Sequence, residues 1–128
     1  MKGFLTIIFT LMFFNINSQV DFIQGGGTLD DWANLAKYRS ANLEIIKNPI
    51  DNLVVFMGNS ITENWSAFRP DFFQNNSFLN RGISGQTTPQ MLIRFKPDVV
   101  NLNPNSVVIL AGINDIAVSY THLRAHET

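Results

Sequence analysis

The run Leu53-Val54-Val55-Phe56-Met57, followed at once by Gly58-Asn59-Ser60, constrains the fold of this chain more than any other stretch. An apolar run this short, closed by turn formers, reads as a strand buried on both faces. Such strands belong to parallel sheets with helices on either side, and those sheets place ligand chemistry at the carboxyl ends of their strands. Ser60 falls at that end, on a bend where Gly58 allows backbone that a side chain would forbid. Alone the serine is ambiguous, because Ser is also a favoured helix N-cap.

The rest of the chain supplies the context. A helix is expected from Asp30 or Asp31 to about Lys47, with Trp32, Leu35, Ala36, Leu43 and Ile46 as its buried stripe. Asn48-Pro49 ends it, since the residue before a proline is pushed out of the helical region. Residues 61–67 read as a short helix, and Arg69-Pro70-Asp71 as the start of another, with proline at a favoured first position. Phe78-Leu79-Asn80 is a second strand, leading into the glycine-bearing loop at residues 81–86. Thr87 or Thr88, then Pro89, opens a longer helix through Met91, Leu92 and Phe95, which Pro97 must kink or divide. After the turn Asn103-Pro104-Asn105, residues 106–111 form a third strand, apolar on both faces, that ends at Gly112-Ile113-Asn114-Asp115. This alternation predicts an α/β fold: a three-layer sandwich whose parallel sheet is covered on both sides. Parallel strands gather the loops at Ser60, Gly85 and Asn114 on one edge of the sheet.

Length and composition bound the function. At 128 residues there is one domain at most. A hydrophobic content of 45% with 11 Phe provides for a core, and a net charge of −1 with scattered Lys and Arg argues against a nucleic-acid partner. Met1-Lys2 followed by the apolar residues 4–14 fits the start of a secretory signal peptide, too short for a stable membrane span of ~20 residues. The expected division is a signal peptide at 1–18, a linker at 19–29 containing Gln24-Gly25-Gly26-Gly27, and a domain from 30 to 118. Export to a secreted or periplasmic location follows. With no cysteine at all, there is no disulfide and no lipid-anchor site near the cut.

Acyl transfer needs a nucleophile and donors aimed at the oxygen that becomes negative in the tetrahedral state. Ser60 offers a hydroxyl and a backbone N–H, Gly85 a second backbone N–H, and Asn114 a side-chain amide. Each has a structural alternative, turn geometry for the glycine and helix capping for Ser60 and Asn114. All three following successive strands is what makes the set a candidate site.

The blocks that carry these residues resemble the SGNH hydrolases, also called GDSL-type esterases and lipases. Gly58-Asn59-Ser60-Ile61-Thr62 is similar to the family's Gly-Asp-Ser-Ile/Leu-Thr, residues 80–87 to its second block, and Gly112-Ile113-Asn114-Asp115 to its Gly-x-Asn-Asp. The segment Asp31-Trp32-Ala33-Asn34-Leu35 also looks like the leader helix of exported bacterial members. The resemblance implies a flavodoxin-like three-layer fold and hydrolysis of a carboxylic ester through an acyl-Ser60 intermediate. Ser60, Gly85 and Asn114 would form the oxyanion hole, and neither metal nor organic cofactor would be needed. A small-molecule or carbohydrate ester, such as an acetylated sugar, is the implied substrate.

Two departures stand out. Asn59 replaces the family's aspartate, which removes a charge beside the nucleophile. The family's catalytic histidine and aspartate, carried in an Asp-x-x-His block, are absent from this chain: Ser119 precedes His122 by three residues and Leu123 precedes His126. The two histidines at i, i+4 lack a carboxylate pattern for a metal site. Residues 119–128 read instead as a non-native tail, so the piece is expected to be interrupted near Val118 and inactive. The rival reading is a non-catalytic module that binds carbohydrate or an anion at the same loops. A dinucleotide site is disfavoured, because Gly82-x-x-Gly85 lacks the required glycine spacing.

Overall fold

The computed structural model describes residues 27–74 and 77–125. The signal-peptide segment and Gln24-Gly25-Gly26 of the linker lie outside the described residues, as does His126. In chain order the elements are α1 (Arg39–Lys47), β1 (Val54–Gly58), α2 (Ser60–Phe68), α3 (Pro70–Gln74), β2 (Phe78–Gly82), α4 (Thr88–Asp98), a 3-10 turn (Val100–Leu102), β3 (Ser106–Leu110) and α5 (Ile113–Ala125). The three strands form one parallel sheet in the order β2-β1-β3. Gly58, at the end of β1, pairs with Gly82 on one side and Leu110 on the other, so all three following loops leave from the same edge.

Alternation along β1 builds two different layers. Val55 and Met57 point to one face, where Leu53, Met91, Val99 and Leu102 close the core with Ile45, Leu79 and Phe95 packed against it. Phe56 points to the other, into an aromatic cluster with Trp65, Phe72, Phe73 and Phe78 at centroid separations of 5.4–5.7 Å. Trp65 and Phe72 stack at 4.9 Å. Thus α1, α4 and the 3-10 turn cover one face while α2 and α3 cover the other. Pro97 divides the helical run as expected: α4 ends one residue later and the 3-10 turn follows.

Glycines at the ends of β1 and β2 let α2 begin against the sheet. A Cβ on Gly82 would lie 2.6 Å from Glu63 Cα and 2.7 Å from the Thr62 carbonyl carbon, and one on Gly58 would lie 2.7 Å from Thr62 Cβ. Only a residue without a side chain permits that approach.

Three expectations are corrected. Residues 31–38 form successive turns, and the helix begins only at Arg39. The Asp31 carboxylate accepts from the N–H groups of Leu35 at 2.7 Å and Ala36 at 2.8 Å within those turns, but it does not cap α1, whose N-cap is Tyr38, and Asn34 is left-handed at φ 55° and breaks any helix there. The carbonyls of Trp32 and Ala33 accept instead from the side chains of Gln90 and Gln86. Next, the buried face of α1 is Asn42 with Ile45, whereas Leu43 and Ile46 are exposed. Last, the sheet is not covered throughout: every residue of β3 is exposed, because among the described residues no element packs over it as α2 and α4 pack over β1.

Candidate active site

The three expected loops do converge. Ser60 is the first residue of α2, directly after Asn59, the N-cap, whose Oδ1 accepts from the Ile61 N–H at 3.1 Å. The first backbone N–H groups of a helix have no intrahelical acceptor, so the Ser60 N–H points out of the helix end rather than into it. Asn59 is fully buried, and its Nδ2 has no hydrogen-bond partner among the described residues. An open groove of about 480 Å³ begins at Ser60 and runs along Ile61, Asn64, Trp65 and Phe68. A second groove, of about 400 Å³ between α4 and β3, contains none of the three candidate residues.

Gly85 occupies the loop after β2 with φ 76°, a conformation in which a side chain would be strained. The loop is tied to α2: the Ser84 N–H and hydroxyl both donate to Glu63 Oε2, the former at 2.6 Å, while Lys37 pairs with Glu63 Oε1. Partial burial by itself would raise the Glu63 carboxyl, but the bonds from Lys37 and then Ser84 outweigh it and hold the group below its usual range.

Asn114 stands in the first turn of α5, and its Nδ2 donates to the Gln86 carbonyl at 2.9 Å. That bond uses one of the two hydrogens the amide can donate. Asp115 anchors the same loop from its other side, accepting from the Thr88 N–H at 3.0 Å and from the Thr88 hydroxyl. The two polar residues of Gly112-Ile113-Asn114-Asp115 therefore join the loop after β3 to the loop after β2 and to the start of α4.

Beneath these loops lies a buried polar layer that sequence reasoning missed. Arg94, wholly buried, donates to Gln86 Oε1 through Nε, to Asp98 at 2.8 Å through Nη1, and to the carbonyls of Arg81 at 2.8 Å and Gly58 at 3.1 Å through Nη2. The Asp98 carboxylate also accepts from Asn42 Nδ2 at 2.6 Å, and Asn42 Oδ1 accepts from Arg81 Nε at 2.9 Å. The Arg81 guanidinium lies over the Tyr38 ring at 4.6 Å, and the Tyr38 hydroxyl donates to the Gly82 carbonyl. Burial, reinforced by Glu63, pushes Tyr38 up to about 12, so it remains a neutral donor. A sequence signal existed: Gln90, Arg94 and Asp98 recur every fourth residue on the side of α4 that carries Met91.

Among the described residues, no group of three or more His, Cys, Asp or Glu side chains is placed to hold a metal ion. Nor is any described helix long and apolar enough to cross a membrane.

Residues 56–128, spanning all three loops, match the model of the GDSL-like lipase/acylhydrolase family. The chain belongs to that family. Solved relatives share its fold. A Bacteroides fragilis protein assigned as an acylhydrolase is 55% identical with a TM-score of 0.64, over 68% of this chain and 42% of the relative. A GDSL-like lipase from Bacteroides thetaiotaomicron is 50% identical with a TM-score of 0.63, over 66% of this chain and 42% of the relative. The uncharacterised lipoprotein YqeF of Bacillus subtilis is 43% identical over 44 residues, which is 34% of this chain and 18% of YqeF. The GDSL-like chain thus spans about two-fifths of the length of the solved relatives.

Proposed function

We propose that this protein is the nucleophile-bearing part of an exported serine ester hydrolase. The Ser60 hydroxyl oxygen bonds to the ester carbonyl carbon as its proton passes to a histidine base. The Ser60 and Gly85 N–H groups and the second hydrogen of Asn114 Nδ2 receive the developing oxyanion. The C–O bond to the alcohol then breaks, the base returns the proton to the leaving oxygen, and water releases the acyl group from Ser60. The chain spans 42% of its solved relatives, and we assign the Asp-x-x-His base to the part of the domain outside these 128 residues. The 128-residue piece alone is accordingly inactive, and His122, His126 and the rest of residues 119–128 take no part.

The observation that carries this reading is the bond from Asn114 Nδ2 to the Gln86 carbonyl, one residue from Gly85, in a loop itself bonded to the helix that Ser60 begins. Asn59 is compatible with it, because Oδ1 supplies the helix cap that an aspartate oxygen would. A small acyl group on a carbohydrate is the preferred substrate, and export through residues 1–18 accords with the naming of YqeF as a lipoprotein.

The test uses the full-length protein from the source gene. A fluorophosphonate probe is expected to label it at Ser60, and Ser60→Ala to lose both labelling and hydrolysis of nitrophenyl acetate. Carbohydrate binding without labelling would replace the hydrolase by a binding module. Faster turnover of long-chain than of acetyl esters would overturn the substrate assignment alone.

A further inference from the structure

We propose that Arg94 is a positioning residue for the oxyanion donors, acting through Gln86 on Asn114. The inference rests on the ester-hydrolase reading of Ser60, Gly85 and Asn114.

One guanidinium reaches the ends of β1 and β2 and the loop after β2, and only through Gln86 the loop after β3. Its Nη2 holds the carbonyl of Gly58, two residues before Ser60, and that of Arg81, at the end of β2. Its Nε holds the Gln86 side chain, whose Nε2 donates to the Ala33 carbonyl at 2.7 Å, so that amide is gripped at both ends. The main-chain carbonyl of the same Gln86 is what Asn114 Nδ2 binds. Arg94 therefore sets where Gln86 stands, and Gln86 sets the rotamer of Asn114 and the position of the preceding Gly85. Arg94 touches none of the reacting atoms.

Stability alone does not call for this arrangement. A buried ion pair such as Arg94–Asp98 is often matched or bettered by apolar residues of similar volume, because both ions lose their hydration. What apolar residues cannot do is direct hydrogen bonds at carbonyls from three separate segments. A planar guanidinium has five N–H donors in a fixed fork, and its charge persists at any ordinary pH. Lysine, with a single flexible ammonium, cannot hold the Gly58, Arg81, Gln86 and Asp98 oxygens at once.

The experiment uses the full-length enzyme: the parent, Arg94→Lys, Asn114→Ala and the double variant, each checked for its folded circular dichroism spectrum and for fluorophosphonate labelling. We expect Arg94→Lys to lower kcat for nitrophenyl acetate about 10- to 100-fold, part of the loss that removing a whole oxyanion donor produces. KM should stay within about twofold, since the donors act mainly in the transition state. In the double variant, Arg94→Lys should cost less than about threefold beyond Asn114→Ala, because the two act as one unit. A merely structural Arg94 would give multiplicative losses, or a change in KM, and either overturns the inference. A folded Arg94→Lys with parental kcat also overturns it while leaving Ser60 labelled and the hydrolase reading intact. An unlabelled parent overturns both. Gln86→Met enters the same cycle in case Arg94→Lys does not fold. It removes the oxygen that Arg94 Nε holds as well as the donor to Ala33, and it too should lower kcat without raising KM. Parental kcat in a folded Gln86→Met overturns the relay.

Discussion

β1 and β3 are nearly interchangeable as sequence and opposite as structure. Val54-Val55-Phe56-Met57-Gly58 and Ser106-Val107-Val108-Ile109-Leu110 are both short apolar runs between turn formers, and they pair with each other in register. Yet Val55 is wholly buried, and Val107, its partner, is 37% exposed. The difference is position: β1 has a strand on each side and a packed layer on each face, whereas β3 pairs only with β1 among the described residues. Apolar content tells how much covering a strand can use. It does not say what supplies it.

Register partners give the sharpest way to break this comparison. Met57 and Ile109 lie side by side, 1% and 56% exposed. In the 128-residue chain, Met57→Ala is expected to cost about 2–5 kcal/mol in urea unfolding, as for other core truncations. Ile109→Ala should stay within about 0.5 kcal/mol. Equal costs would mean that β3 is as well covered as β1.

The strand ends repeat the contrast at smaller scale. Gly82 and Leu110 flank Gly58, but only Gly82 has the first turn of α2 pressed on it. A Cβ there meets Glu63 backbone, which cannot swing aside, so Gly82→Ala should cost about 1–3 kcal/mol by overpacking. Leu110→Ala, on a half-exposed residue, should cost distinctly less, and thermal melts of the two variants make the comparison.

The smallest expected effect is a pH dependence at the loop that α2 holds. Glu63 is depressed in the folded protein, so its contribution is fully present above its ordinary value of 4.5 and fades as pH falls through the lower folded value. Hydrogen exchange at Ser84 and Gly85 should be slower in the parent than in Glu63→Gln at pH 7, and the two should converge once the pH has fallen below the carboxyl's lowered folded value. A difference that persists in acid would show that Glu63 is not what holds the loop.

Much of this was legible in the chain. The alternation of elements, the parallel sheet, the division at Pro97 and the gathering of Ser60, Gly85 and Asn114 at one edge all follow from local pattern. Segment 31–38 reads as helix because its propensities are helical, while the donors that matter are remote. Gln86 and Gln90, more than fifty positions away, take the carbonyls of Ala33 and Trp32 that a helix would have used. On α1, Asn42 turns inward rather than Leu43 because Asp98 and Arg81 offer it partners there.

By itself, then, the sequence determined which segments are strands, which residues end them, and that three polar loops share an edge, since short-range sterics and hydrophobic period settle those matters. Tertiary structure alone decided the rest: which apolar strand is covered, which face of a helix is polar and buried, and that a single guanidinium ties the ends of β1 and β2 to Gln86, which in turn holds Asn114. A buried charge becomes tolerable only where several partners from distant segments converge on it, and no local pattern encodes that convergence.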